Sequence, residues 1–133
     1  MIDFQHIELP NSPNYYYVAP ADLSNIKPEA LSSIYPVSVA TLKEIWVKWI
    51  AQEPRLEYID HNHFQFQYIQ RTRWLKFPDT IDVLLIEIST HQSSIAIFSR
   101  SQYGYYDFGV NRRRVQRWLK GINEAIIQTH LGR

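Results

Sequence analysis

Between Pro54 and Arg100 the spacing of apolar residues changes from three-and-four to two, and beyond Val110 it changes back. That switch constrains the fold more than any single motif, because helices and strands need different periods to bury one face. From Ser38 onward, Leu42, Ile45, Trp46, Trp49 and Ile50 form the stripe of an amphipathic helix. Ser38 or Thr41 can cap its start, and Glu44 stands where a capping box with Thr41 requires it. Pro54 bounds the helix, since its ring disfavours helical geometry in the residue before it.

Four strand-like runs follow, at 56–60, 64–68, 81–88 and 95–98. In the second, Phe64, Phe66 and Tyr68 alternate with Gln65 and Gln67. The first link, His61-Asn62-His63, reads as a hairpin turn although it lacks the favoured glycine. The closing helix carries Val115, Leu119, Ile122 and Ile126 at spacings of four, three and four, with Gly121 marking either a weak point or a close approach. The order predicts an α+β fold: an antiparallel four- to five-stranded sheet with two helices packed on one face. The optional strand is 34–37, confined to an edge by Pro36.

Residues 1–33 read as an irregular N-terminal wrapping segment ahead of a single α+β domain at 34–133. Pro10, Pro13, Pro20 and Pro28 interrupt any long period, although Tyr15-Tyr16-Tyr17-Val18 can lie extended against the body. So long an irregular stretch is uncommon unless it covers surface or serves function. The 133 residues are 45% hydrophobic and 20% charged, which excludes a disordered chain. No cysteine is present, so disulfides, thiolate metal sites and cysteine nucleophiles are excluded. The absence of a basic flank and apolar run at the start, and of any span-length apolar stretch, predicts a cytoplasmic protein without a transmembrane segment.

Charge is polarised along the chain. Residues 100–133 carry seven basic and two acidic side chains, against seven and eleven in 1–99, although the whole is only +1. Arg112, Arg113 and Arg114 fall in the first turn of the closing helix, whose N-terminus is already electropositive. A compensating negative group is therefore expected, either Asp107 pairing with Arg112 or Arg114, or an external anion on the free backbone N–H groups. Asn111 is the expected N-cap, and Gly104 and Gly109 give the preceding turn its backbone freedom. Arg113, Arg117 and Lys120 form a basic face opposite the apolar stripe.

The stretch from Gly104 to Val115 resembles the signature of the bacterial and plastid family catalogued as domain of unknown function 1499. That signature has a serine-rich strand, a glycine, a polar pair with aspartate and a Gly-Val-Asn-Arg helix start. Ser99, Ser101, Gly104, Asp107, Gly109, Asn111 and Arg112 match it without a gap. Upstream, Phe77-Pro78-Asp79-Thr80-Ile81-Asp82-Val83 resembles the family's acidic strand, with Thr80 and Asp82 departing, and Pro10-Asn11-Ser12-Pro13-Asn14 resembles its opening. Leu9 and Tyr15 stand where the family has cysteines, and Phe98 and Gln102 where it has arginines. The resemblance implies a divergent member lacking the cysteines, and it implies no activity.

No catalytic constellation stands out. His61 and His63 lack a third metal ligand, Ser99 and Ser101 lack a nucleophile elbow, and Asp79 and Asp82 read as a cap and an edge charge. No phosphate-binding loop is present, and neither a cofactor nor a metal is expected. The expected function is a non-catalytic binding or assembly module for a protein partner or small anionic ligand. Its site would be the strand-to-helix turn 99–114, with Ser99, Ser101, Gly104, Tyr105, Asp107, Gly109, Asn111, Arg112 and Arg114. Phe64, Phe66 and Tyr68, or the opposing Gln65, Gln67 and Ile69, could line an open sheet face for a partner. The alternatives are a hydrolase or transferase at the same turn, or a weak nucleic-acid binder using Arg113, Arg117 and Lys120.

Overall fold

A computed structural model describes residues 1–102 and 109–131. The elements are β1 (Tyr15–Ala19), β2 (Ala30–Leu31), α1 (Val39–Ile50), β3 (Leu56–Asn62), β4 (Gln65–Arg71), β5 (Pro78–Ser89), β6 (Gln92–Ser101) and α2 (Val110–Leu131). The sheet has six strands in the order β2-β1-β6-β5-β4-β3. Strands β3 to β6 form the expected antiparallel meander.

The expectation of a purely antiparallel four- to five-stranded sheet is corrected at the other edge. β1 pairs antiparallel with β6, from Tyr15↔Arg100 to Val18↔Ile97, and β2 lies parallel to β1. Both strands come from the stretch read as loop. Pro13 and Pro20 bracket β1 without entering it, and a two-residue strand such as β2 has no readable period. The proposed strand at 34–37 is instead a single bridge. Tyr35 N–H donates to Ser93 O at 2.7 Å, Ser93 N–H donates back at 3.1 Å, and Pro36 has no N–H to continue the ladder.

Ser38, rather than Thr41, caps α1, its hydroxyl accepting from Thr41 N–H at 3.2 Å. The missing turn glycine between β3 and β4 is replaced by His63 itself, which adopts φ 52°.

Both helices lie on one sheet face. Their Leu42, Ile45, Trp46, Val115, Trp118 and Ile122 join strand residues such as Val18, Ile81, Val83 and Ile97 in the main core. On this face Phe66 and Tyr68 are buried, with Trp46 Nε1 donating to the Tyr68 hydroxyl at 2.9 Å. They are therefore core residues and not the open aromatic surface expected from their alternation. The opposite face is covered too, because Phe4 and Ile7 from the N-terminal segment pack with Tyr17, Ala96 and Phe98. Gln65 and Gln67 on that face are held by Ile2 O and Asp82.

Gly121 marks a close approach. A Cβ there would collide with the Trp49 ring, which packs against both Trp46 and Trp118. Replacing Gly121 with alanine improves helix propensity but forces that indole aside, so a net loss of about 1–2 kcal/mol is expected. Urea denaturation with the Trp49→Phe background checks it: the smaller ring should relieve part of the penalty.

Candidate functional site

The register of the sheet brings Asp79 opposite Ser101 and Gln70, and Ile81 opposite Ser99, all on the helix-covered face. Asn111 and Arg114, three residues apart on α2, project toward that same corner. Arg114 is 5% exposed and Asp79, Ser99 and Asn111 are fully buried. The Arg114 guanidinium donates through Nη2 to Asp79 Oδ2 at 2.7 Å and through Nε to Gln70 Oε1 at 2.6 Å. Its Nη1 donates to Ser99 Oγ at 3.0 Å and Asn111 Oδ1 at 2.9 Å. This planar fork meets four acceptors that a lysine ammonium could not span.

Ser99 Oγ donates to Asn111 Oδ1 at 2.7 Å, and Asn111 Nδ2 donates to Asn14 O and Ser101 Oγ, both at 3.1 Å. The network therefore ties the start of β1 to β6 and α2. Gln70 extends it, donating to Pro54 O at 2.9 Å and Glu53 Oε1 at 3.3 Å. Glu53 also accepts from Trp118 Nε1 at 2.9 Å and pairs with Arg117. Among the described residues no buried side-chain nitrogen or oxygen lacks a partner.

The sequence-derived residues separate into distinct roles. Ser99, Ser101, Asn111 and Arg114 meet in one cluster. Asn111 is not an N-cap: α2 already begins at Val110, and the amide turns into the sheet. Gly109 takes φ 77°, the left-handed backbone expected of it. Gly104, Tyr105 and Asp107 lie outside the described residues, and so does the expected pairing of Asp107. The carboxylate that Arg114 meets is Asp79, 35 residues earlier. Arg112, Arg113 and Lys120 are exposed, but Arg117 is drawn to Glu53, so the basic face is not a uniform solvated stripe.

Asp79, Gln70 and Glu53 were missed as members. Only Asp79 carried a signal, as a carboxylate at the start of an apolar strand, where burial demands a cation. Its neighbour Asp82 points to the opposite face, also fully buried, and takes Arg100 Nη1 at 2.8 Å. His61, considered as a metal ligand, bonds the Tyr58 hydroxyl. Among the described residues no group of three or more His, Asp or Glu is placed to hold a metal ion. No described helix is long and apolar enough to cross a membrane.

The pattern of the family described as "Protein of unknown function (DUF1499)" matches residues 7–122. The chain belongs to the DUF1499 family. The match takes in β1 and the buried Asp79–Arg114 cluster as well as the turn whose residues first suggested it. No curated protein matches the sequence.

Burial raises the Glu53 pKa, but Arg117, Trp118 and Gln70 outweigh it and hold this DUF1499 carboxyl below its ordinary value of 4.5. A folded-state pKa below the unfolded one stabilises above the unfolded value, and that stability is lost as pH falls through the folded value. Acid unfolding of Glu53→Gln should therefore show a shallower loss below about pH 4.5 than wild type. Parallel acid curves would show that Glu53 contributes nothing to the slope.

Proposed function

We propose that this DUF1499 protein is a non-catalytic binding or assembly module that takes a protein partner or small anionic ligand at the turn 99–114. The observation that carries this reading is the closure of the polar cluster between the end of β6 and the start of α2. Arg114, Asp79, Asn111, Ser99 and Gln70 satisfy one another and are buried, an arrangement suited to holding a backbone still. A general base or nucleophile would need to reach a substrate. Arg112 is exposed at the start of α2, whose first turn carries no acidic residue. A helix start with an exposed cation favours a carboxylate or phosphate.

Pyrophosphate and citrate titrated calorimetrically into wild type and Arg112→Ala test the ligand arm, with affinity expected to fall about fivefold or more in the variant. Affinity capture from the native source, with mass spectrometry of retained proteins and small molecules, tests the partner arm. Identical captures by wild type and Arg112→Ala, with no heat from either anion, would refute the reading. Turnover of phosphate or carboxylate esters dependent on Ser99 would replace it with an enzyme.

A further inference from the structure

The link from β4 to β5 projects beyond the end of the sheet and is built as a folded turn. Thr72 N–H donates to Phe77 O, and Phe77 N–H donates to Thr72 Oγ1, both at 2.9 Å. Lys76 N–H closes on Thr72 O at 3.1 Å, with Lys76 at φ 59°. At the apex Arg73, Trp74, Leu75 and Lys76 are all exposed. Trp74 at 81% and Leu75 at 69% are the most exposed large apolar side chains among the described residues.

A lone exposed apolar residue means little, but this pair stands in a turn that carries several cations. Arg73 lies over the Trp74 ring, 4.8 Å from its centroid. Arg71 reaches Lys76 O, and Arg55 Nε donates to Arg71 O at 3.2 Å, so a fourth cation joins from the neighbouring strand start. None of these four makes an ion pair among the described residues. Glu53 is engaged by Arg117 and Asp79 by Arg114, and Glu57, two residues beyond Arg55, makes no ion pair among the described residues.

We propose that this apex docks on an anionic phospholipid surface, with Trp74 and Leu75 entering the headgroup boundary and Arg55, Arg71, Arg73 and Lys76 meeting lipid phosphates. Tryptophan favours the interfacial depth of a bilayer, and leucine the acyl boundary beneath it. Each cation near an anionic leaflet strengthens association about fivefold. A stable protein interface buries roughly 800 Å² on each side, more than two side chains on a projecting turn offer. A nucleic acid would use the tryptophan and cations but leave Leu75 without a role. The proposal does not depend on the ligand reading of the turn 99–114.

Vesicle sedimentation tests it, using phosphatidylcholine with and without phosphatidylserine. Wild type should bind only the anionic vesicles and release as salt rises. Trp74→Ala/Leu75→Ala and Arg73→Ala/Lys76→Ala should each bind at least about tenfold more weakly, with unchanged thermal midpoints because these side chains are exposed. Tryptophan emission should shift to the blue on anionic vesicles, and Trp74→Phe should abolish the shift while the protein still sediments, since Trp46 and Trp118 are buried already and the partly buried Trp49 packs against both. Wild type that ignores anionic vesicles, binds neutral ones equally, or binds undiminished in both double variants overturns the proposal. Retardation of a single-stranded oligonucleotide through these residues without vesicle binding overturns it in favour of nucleic acid.

Discussion

Replacing Arg114 with alanine is expected to lower the free energy of unfolding by about 3–5 kcal/mol, much of a small domain's stability. The loss comes mainly from what remains behind. Asp79 is fully buried, and without the guanidinium its charge loses the 2.7 Å partner that makes burial tolerable. Gln70, Ser99 and Asn111 each lose a donor in the same step. Arg114→Lys should recover little, since one ammonium cannot satisfy acceptors placed around a planar fork. Urea denaturation of Arg114→Ala, Asp79→Asn and the double variant measures the coupling. The double variant should be less destabilised than the two single losses combined, because each single loss already breaks the same Asp79–Arg114 pair. A loss below about 1 kcal/mol for Arg114→Ala would remove the network from the list of what holds this fold together.

Trp118→Ala should be comparably severe, at about 3–5 kcal/mol. Its ring is fully buried and packs edge-on against Trp46 at 5.9 Å and Tyr68 at 6.3 Å, while Nε1 donates to Glu53 at 2.9 Å. Truncation thus opens a cavity where the two helices meet the sheet and removes a donor from Glu53. Trp118→Phe separates the two effects, keeping most of the packing but not the hydrogen bond. Its loss should be clearly smaller, about 1–3 kcal/mol, and its acid sensitivity should move with that of Glu53→Gln. Equal losses for the alanine and phenylalanine variants would assign the whole effect to the bond.

Trp118 also shows why helix spacing reads a face only approximately. The sequence stripe named Val115, Leu119, Ile122 and Ile126, yet Trp118 is fully buried and Leu119 only partly. α2 packs against α1 as well as the sheet, so its buried arc is wider than one stripe and is rotated toward Trp46 and Trp49. The same argument explains Gly121. Its position in the apolar stripe was legible, but only the neighbouring helix turns it into the seat for an indole.

The candidate site was legible in part. Ser99, Ser101, Asn111 and Arg114 were all named, and the need for a negative counterpart followed from three arginines at a helix start. The structure divides those arginines by burial: Arg112 and Arg113 are exposed while Arg114 enters the core. Asp79 reaches Arg114 from another strand, while the pairing expected of Asp107 lies outside the described residues. Sequence distance is a poor guide to charge pairing because sheet register places residues 35 positions apart side by side.

By itself the sequence determined the two helices, the four-strand meander, the α+β class and the family signature. These depend on local periodicity and on contiguous residues, and both survive without knowledge of any distant contact. Tertiary structure alone decided that residues 15–19 and 30–31 complete the sheet, that both sheet faces are covered, and that Asp79 neutralises Arg114. Each of those outcomes requires backbone hydrogen bonds or buried charges from separate parts of the chain to satisfy one another. That condition is met only when the chain has closed on itself.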